Sequence, residues 1–297
     1  MNIGIDLGGS HIALGVVNSD GKIVKKIDHE IKEKERENIK QFIETFIIEK
    51  YNECKQEFDI GKIGIAIPGT VSKTEIVRAI NLGLENYKLV ENLSKDIDIP
   101  IFLKNDGKCA TIAENKYGCI NKYENAIFLT LGTGIGGASI YNGTLLEGEN
   151  VPGYEFGHIV IEKNGRVCKC GNKGCFEQYA SMRALKKEFR EKMNISTDIA
   201  GREILKRIIE NRDDNNITEI VEDFIDYLGI GIANLVNIFE PEAIGIGGSF
   251  AYYGDFFIPK LKQKLLKENL LFNKRDDIII NTANLGNDAG IIGASLL

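Results

Sequence analysis

The chain opens on alternating apolar positions. Ile3, Ile5 and Leu7 fall on one face of an extended segment, and after Gly8-Gly9-Ser10 a second run carries Ile12, Leu14 and Val16. Period-two spacing predicts strands with one face buried, here joined by a glycine turn. Asn18-Ser19-Asp20-Gly21 reads as a further turn and Ile23-Val24 as the start of a third strand. The same unit returns further along. Ala126-Ile127-Phe128-Leu129-Thr130-Leu131 is a strand, residues 132–137 a glycine-rich turn and Ala138-Ser139-Ile140-Tyr141 another strand, with Asn142-Gly143 as a hairpin signal. This weak repeat predicts two related lobes, each opening on strand, glycine turn and strand.

Between these units the spacing becomes helical. Ile39, Phe42, Ile43, Phe46 and Ile47 share one helix face, as do Cys109, Ile112, Ala113 and Tyr117 just after Asn105-Asp106. Residues 217–239 predict a long helix with Ile220, Val221, Phe224, Ile225, Leu228, Ile232, Leu235 and Val236 inward, stopped by Pro241. Ala243-Ile244-Gly245-Ile246 is a short strand running into Gly247-Gly248-Ser249 and an aromatic-rich helix, and a last helix is expected near Asp288. The charges of residues 32–37 alternate in sign, as on a solvated helix start.

Composition narrows the function classes. The 297 residues are 43% hydrophobic and 27% charged, with a formal net charge of −6. That is an ordinary globular balance, with length enough to bury a core. A mildly acidic chain lacks the basic footprint of a nucleic-acid or anionic-membrane binder. No basic segment followed by an apolar run opens the chain, and no apolar stretch approaches the roughly 20 residues that span a bilayer. The expectation is a cytoplasmic protein with neither nucleic-acid nor membrane partners.

Four motifs carry candidate chemistry. Asp6 stands at a strand end beside Gly8, Gly9 and Ser10, where glycine backbone can approach phosphate oxygens and a carboxylate can serve Mg²⁺; an ordinary hairpin turn is the other reading. Gly132, Gly134 and Gly137 match G-x-G-x-x-G, but a strand follows rather than the helix a dinucleotide turn must open, so a phosphate-gripping hairpin fits better. Asn105-Asp106 joins an apolar strand to a helix, a place where such residues cap helices and where an acid can also act as general base for phosphoryl transfer. His158, Cys168, Cys170 and Cys175 form a Cys₃His set suited to structural zinc, with Gly171 and Gly174 easing the tight turns; a redox pair or inert thiols are the rival readings. Glu155 and Glu177 flank that cluster.

Together these motifs resemble the ROK sugar kinases, bacterial glucokinases and their relatives within the actin-like ATPase superfamily, over essentially the whole length. The residues that carry the likeness are Asp6-Leu7-Gly8-Gly9-Ser10, Pro68-Gly69, Asn105-Asp106-Gly107, residues 131–137, Glu155-Phe156-Gly157-His158, residues 168–177, Gly247-Gly248-Ser249 and residues 285–290. The resemblance implies a two-lobed α/β, ribonuclease H-like fold with a cleft between lobes. Residues 1–117 with 286–297 would form the smaller lobe, and 118–285 the larger lobe with the zinc loop. It implies ATP, Mg²⁺ and structural Zn²⁺ as cofactors and a homo-oligomer, dimer or tetramer. It makes Asp106 the base and Gly69, Asn81, Asn105, Glu155, His158 and Glu177 sugar contacts, with His158 shared between sugar and zinc. Gly8, Gly9, Ser10, Gly132, Thr133 and Gly134 would hold phosphates, Gly248 would lie near adenine, and Asp6 would serve magnesium.

Three features depart from the family pattern. Ser10 and His11 stand where Thr and Lys are usual, and Gly107 replaces an alanine. The third departure is that the first strand begins at residue 2, leaving no room for the helix-turn-helix of ROK repressors. The expected reaction is phosphorylation of a hexose, at the 6-hydroxyl of glucose or a related sugar. N-acetylmannosamine, N-acetylglucosamine or fructose are alternatives within the family. A non-catalytic sugar-responsive regulator and an actin-like ATPase with a macromolecular partner are the alternatives of other classes.

Overall fold

The structure is a computed structural model that describes residues 1–148, 153–195, 199–267 and 279–297. The chain divides into two compact units. One comprises Met1–Asn121, Leu145–Tyr154 and Leu285–Leu297, the other Lys122–Thr144 and Glu155–Asn284.

In the first unit, β1 (Asn2–Leu7), β2 (His11–Val17) and β3 (Ile23–Glu30) form an antiparallel meander. The helices Glu33–Glu37 and Ile39–Cys54 follow, then β4 (Ile63–Ile67). The short strands β5 (Thr70–Val71), β6 (Ile76–Ala79) and β7 (Leu84–Tyr87) make a separate antiparallel sheet. β8 (Ile101–Asn105) leads into the helix Asp106–Tyr117. The main sheet has the order β3-β2-β1-β4-β8, with β1, β4 and β8 parallel. The predicted alternation holds: Ile3, Ile5, Leu7, Ile12 and Leu14 are fully buried. Removing side chains of this size from water contributes about 1.5–3 kcal/mol each.

The opposite face of this sheet is covered by the helix Ala289–Ser295, brought there by a row of glycines. Gly4 on β1 pairs in register with Gly15 on β2 and Gly64 on β4. A Cβ on Gly4 would stand 1.8 Å from the Ile291 carbonyl oxygen, and one on Gly64 1.8 Å from that of Ala294. The backbone of the helix therefore rests directly on the sheet. Its Gly293 packs in the same way on the helix Asp106–Tyr117, where an added Cβ would meet the Cys109 carbonyl oxygen at 1.8 Å.

The second unit repeats the plan. β9 (Ala126–Leu131) and β10 (Ile135–Tyr141) form a hairpin, extended by β11 (Thr144–Leu145). β12 (Ala243–Gly248) and β13 (Ile279–Thr282) add in parallel, giving the order β11-β10-β9-β12-β13. In both sheets a hairpin is joined to two further parallel strands, so the repeat read from the sequence is a repeat of topology. The long helix is Asn215–Phe239 and buries every apolar position expected of it. Asp214 caps its start, accepting from the Asn216 and Ile217 N–H groups, and Glu240 ends it in the left-handed region at φ 44° before Pro241. After Gly248 the aromatic helix starts later than expected: a 3₁₀ turn, Ala251–Tyr253, precedes the helix Gly254–Lys267. Among the described residues, no helix is long and apolar enough to cross a membrane.

Candidate functional site

The residues singled out in the sequence divide between the two units. In the first unit they gather at the carboxyl ends of the parallel strands, where open α/β sheets place ligands. Asp6 on β1 is in register with Ala66 on β4, and Ala66 with Lys104 on β8, so Asp6 and the Asn105-Asp106 pair lie at the same sheet end with one strand between. The Asp6 carboxyl is crowded by protein. Desolvation raises its pKa above the ordinary value of 3.8, against the opposing fields of His11 and Lys26. The Gly8 N–H donates to the His11 carbonyl at 2.8 Å and closes the turn, while the His11 ring lies over Gly8. The Gly9 carbonyl accepts from the Arg36 guanidinium at 2.7 Å, and the Ser10 carbonyl from the Ile31 N–H at 2.9 Å. Asn81 is exposed beside Gly9, so the structure joins one expected sugar contact to an expected phosphate turn.

Asn105 works in two directions. Its Oδ1 accepts from the Lys108 N–H at 3.2 Å and caps the helix, while its Nδ2 donates to the Gly69 carbonyl at 3.0 Å. Gly69 holds φ at 133°, and a Cβ there would meet the Arg78 carbonyl oxygen at 2.3 Å, so this close turn requires glycine. Asp106 is the first residue of the helix and accepts from the Gly107 N–H at 2.8 Å. Gly107 is buried, and its carbonyl accepts from the Thr111 hydroxyl. The thiol of Cys109 is pushed well up, by burial first and then by the Asp106 carboxylate, with Asp6 adding to the effect. The capping and the candidate base thus coexist: Asn105 does the capping and leaves Asp106 at the helix start.

In the second unit, Gly132, Thr133 and Gly134 form the β9–β10 turn, closed by a Gly132 N–H to Gly134 carbonyl bond of 3.0 Å. A Cβ on Gly134 would lie 2.5 Å from Glu177 Oε2, so this turn and the acid of the cysteine loop touch. Gly248, at φ 70°, packs its backbone against Leu131, the residue before the turn. Glu155 precedes a 3₁₀ turn, Phe156–His158, whose Phe156 is buried against Phe239.

The cysteine cluster assembles as expected. His158 Nδ1 lies 3.7 Å from Cys168 Sγ, and Cys170 Sγ lies 3.6 Å from Cys175 Sγ; all four donor atoms fall within 4.8 Å of one another. Zn–S bonds of about 2.3 Å in a tetrahedron put thiolate pairs about 3.8 Å apart, so the donor set fits Zn²⁺. The loop is shaped by Gly171 and Gly174 at φ 99° and 80°, and by Cys168 N–H to Asn172 carbonyl and Gly174 N–H to Arg166 carbonyl bonds. Burial pushes the Cys175 thiol up to about 12, with help from the neighbouring thiols, and raises that of Cys168; Cys170 is lowered despite burial, by a backbone bond at Asn172 and by its two neighbours. A divalent cation bound there would deprotonate the thiols outright. Because Nδ1 of His158 faces the sulfur, Nε2 is the nitrogen left for another partner. Glu177 accepts from Gln178 Nε2 at 2.9 Å and, while Cys168 carries its proton, from that thiol at 3.4 Å, so the acid lies against the cluster and is held by Gln178.

The sequence reading missed the wall beside the second turn. A cavity of about 930 Å³ is lined by Gly132, Thr133, Ser249 and by Arg183, Lys186 and Arg190 of the helix Met182–Lys192. The cation spacing of three and four residues on one helix face was the signal.

Residues 2–297 match the model of the ROK family. The chain belongs to that family. This ROK chain has the α/β fold with mixed sheets of the actin-like ATPase kinases, as the sequence led us to expect. It is 30% identical to the glucokinase of Thermotoga maritima, across 99% of this chain and 95% of that one. It is also 29% identical to the xylose repressor of Bacillus subtilis, across 82% of this chain and 62% of the repressor. Among solved structures it is similar to a ROK family glucokinase from Streptomyces griseus in complex with glucose and AMPPNP, with TM-score 0.82, 26% identity and coverage of 99% and 97%.

Proposed function

We propose that this ROK protein is an ATP-dependent sugar kinase that phosphorylates a hexose, at the 6-hydroxyl of glucose or a related hexose, with Asp106 as general base. The observation that carries the reading is the arrangement at the end of β8: Asn105 is fixed by Gly69 and by the helix, and the Asp106 carboxylate starts that helix at the sheet end shared with Asp6. The near full-length similarity to glucokinases supports the same chemistry.

In this mechanism the sugar oxygen attacks the γ-phosphorus as its proton passes to Asp106. The new O–P bond forms while the bond from phosphorus to the β–γ bridging oxygen breaks, and ADP leaves with those electrons. Asn105, Gly69, Asn81, Glu155, His158 and Glu177 orient the sugar. The turns of Gly8, Gly9 and Ser10 and of Gly132, Thr133 and Gly134 hold the phosphates: the Gly8 and Gly132 N–H groups close the turns, the N–H groups of Gly9, Ser10, Thr133 and Gly134 offset phosphate charge, and Gly248 leaves space for adenine. Asp6 would serve Mg²⁺, which would supply further neutralisation of that charge. Zn²⁺ held by His158, Cys168, Cys170 and Cys175 would be structural, fixing the loop that carries Glu177.

The test is ADP release measured over glucose, mannose, fructose, N-acetylglucosamine and N-acetylmannosamine. Turnover with one or more of these is expected, and Asp106→Ala should lower kcat by about 10²–10⁴-fold while sugar binding survives. Near-normal turnover in the variant overturns the base assignment. The likeness to the xylose repressor favours a second reading, a sugar-responsive regulator. Sugar binding without turnover of any sugar would select it.

A further inference from the structure

We infer that Lys186 binds the phosphates of the nucleoside triphosphate donor; this rests on the kinase reading above. The cavity that Gly132 and Thr133 line has two kinds of wall. Ile195, Ile199 and Ile204 give it an apolar side suited to a base, and Arg183 and Lys186 give it a cationic side next to the glycine turn. The cationic side is held to the turn by a backbone hydrogen bond. Arg183 N–H donates to the Gly132 carbonyl at 3.1 Å, which pins the first turn of the helix Met182–Lys192 to the hairpin. Ser181 caps that helix, accepting from the Ala184 N–H. Lys186 lies one turn further on, on the same face as Arg183.

Four other charges of this helix are already engaged. Lys187 pairs with Glu191, Glu188 with Arg166, and Lys192 with Glu188, Glu219 and Asp223. Lys186 differs. It is half-buried and, among the described residues, has no carboxylate in ion-pair reach. Burial alone pulls its amine below the ordinary lysine range. Its stem and amine instead lie over Gly201, where an added Cβ would stand 2.2 Å from Nζ. A half-desolvated ammonium without a counter-charge among the described residues, lining the cavity that the glycine turn also lines, is a site that an anion completes. A phosphate there restores the lost solvation through charge-assisted hydrogen bonds.

The experiment uses the full-length zinc-loaded protein and titrates AMPPNP and the accepted sugar separately. Lys186→Met should weaken AMPPNP binding and raise the KM for ATP by about 10- to 100-fold, the range of a lost hydrogen bond to a charged group. Lys186→Arg should recover most of the affinity, and the dissociation constant for sugar should stay within twofold of wild type. If Lys186→Met folds poorly, Gly201→Ala keeps the charge but drives Nζ from its seat and should weaken AMPPNP several-fold. AMPPNP binding within twofold of wild type in Lys186→Met overturns the inference while leaving the kinase reading intact. Equal losses in the Met and Arg variants, accompanied by weaker sugar binding, also overturn it by making Lys186 a packing residue. A wild-type protein that binds no AMPPNP overturns both.

Discussion

The Glu177 carboxylate rests on Gly134, so close that a single added methyl carbon would stand 2.5 Å from Oε2. One side chain thus links the expected phosphate turn to the cysteine loop. Gly134→Ala forces the carboxylate from its place, although Gln178 Nε2 still holds its other oxygen. If Glu177 orients the sugar, the variant should raise the sugar KM several-fold more than the ATP KM. Steady-state kinetics with each substrate varied in turn reads that split, and equal KM values for wild type and variant would remove Glu177 from the sugar site.

The Cys₃His cluster should contain about one zinc per chain, as one four-ligand site requires. Metal analysis of the purified protein checks the stoichiometry. Cys175→Ser should drop it well below one and lower the melting temperature, because metal-binding free energy is folding free energy for a loop of this kind. Full stability in a metal-free sample would assign the loop's order to its own hydrogen bonds.

Gly64 has no room for a methyl group against the Ala294 backbone. Gly64→Ala should cost about 1–3 kcal/mol or more by overpacking. Chemical denaturation reads that loss. The control is Gly61→Ala, where an added Cβ would meet nothing closer than Asn2 Oδ1 at 3.4 Å and the backbone is not left-handed.

Asp6 makes a prediction with a sign. Its folded-state pKa is raised, chiefly by desolvation, so the protonated form favours the fold and ionisation works against it. Its stabilising contribution is complete below the unfolded value of 3.8 and is lost as pH rises through the folded value. Asp6→Asn, measured without added magnesium, should therefore melt above wild type at neutral pH. The gap should shrink on acidification and vanish below 3.8. The same variant should lose phosphoryl transfer if Asp6 serves magnesium. A melting difference that does not change with pH would contradict the linkage.

Much of this molecule was legible along the chain. Period two marked β1, β2, β9 and β10, period 3.6 marked the helix Asn215–Phe239, and glycine turns marked the repeat, because local patterns reflect which face each segment buries. The Cys₃His set was legible because metal ligation restricts residue types and keeps three of the four ligands close in sequence. Asn105-Asp106 was readable as a strand-to-helix junction, but the cap and the candidate base had the same local signature.

Other features needed tertiary structure. That Asn105 grips Gly69, that Asn81 lies beside Gly9 and that Glu177 lies on Gly134 depend on strand order and register, which the local pattern does not encode. Gly4, Gly15 and Gly64 looked like unremarkable interruptions of hydrophobic runs. Only the register of three strands makes them the bed of a helix from the far end of the chain. Lys186 is one basic residue among several on its helix; the absence of a counter-charge among the described residues and the adjoining cavity, both consequences of packing, set it apart. The sequence by itself determined the elements, the candidate metal ligands and the candidate acid, since these rest on side-chain chemistry and local periodicity. The tertiary structure alone decided which of them touch, because contacts between distant segments follow from how the sheets order their strands.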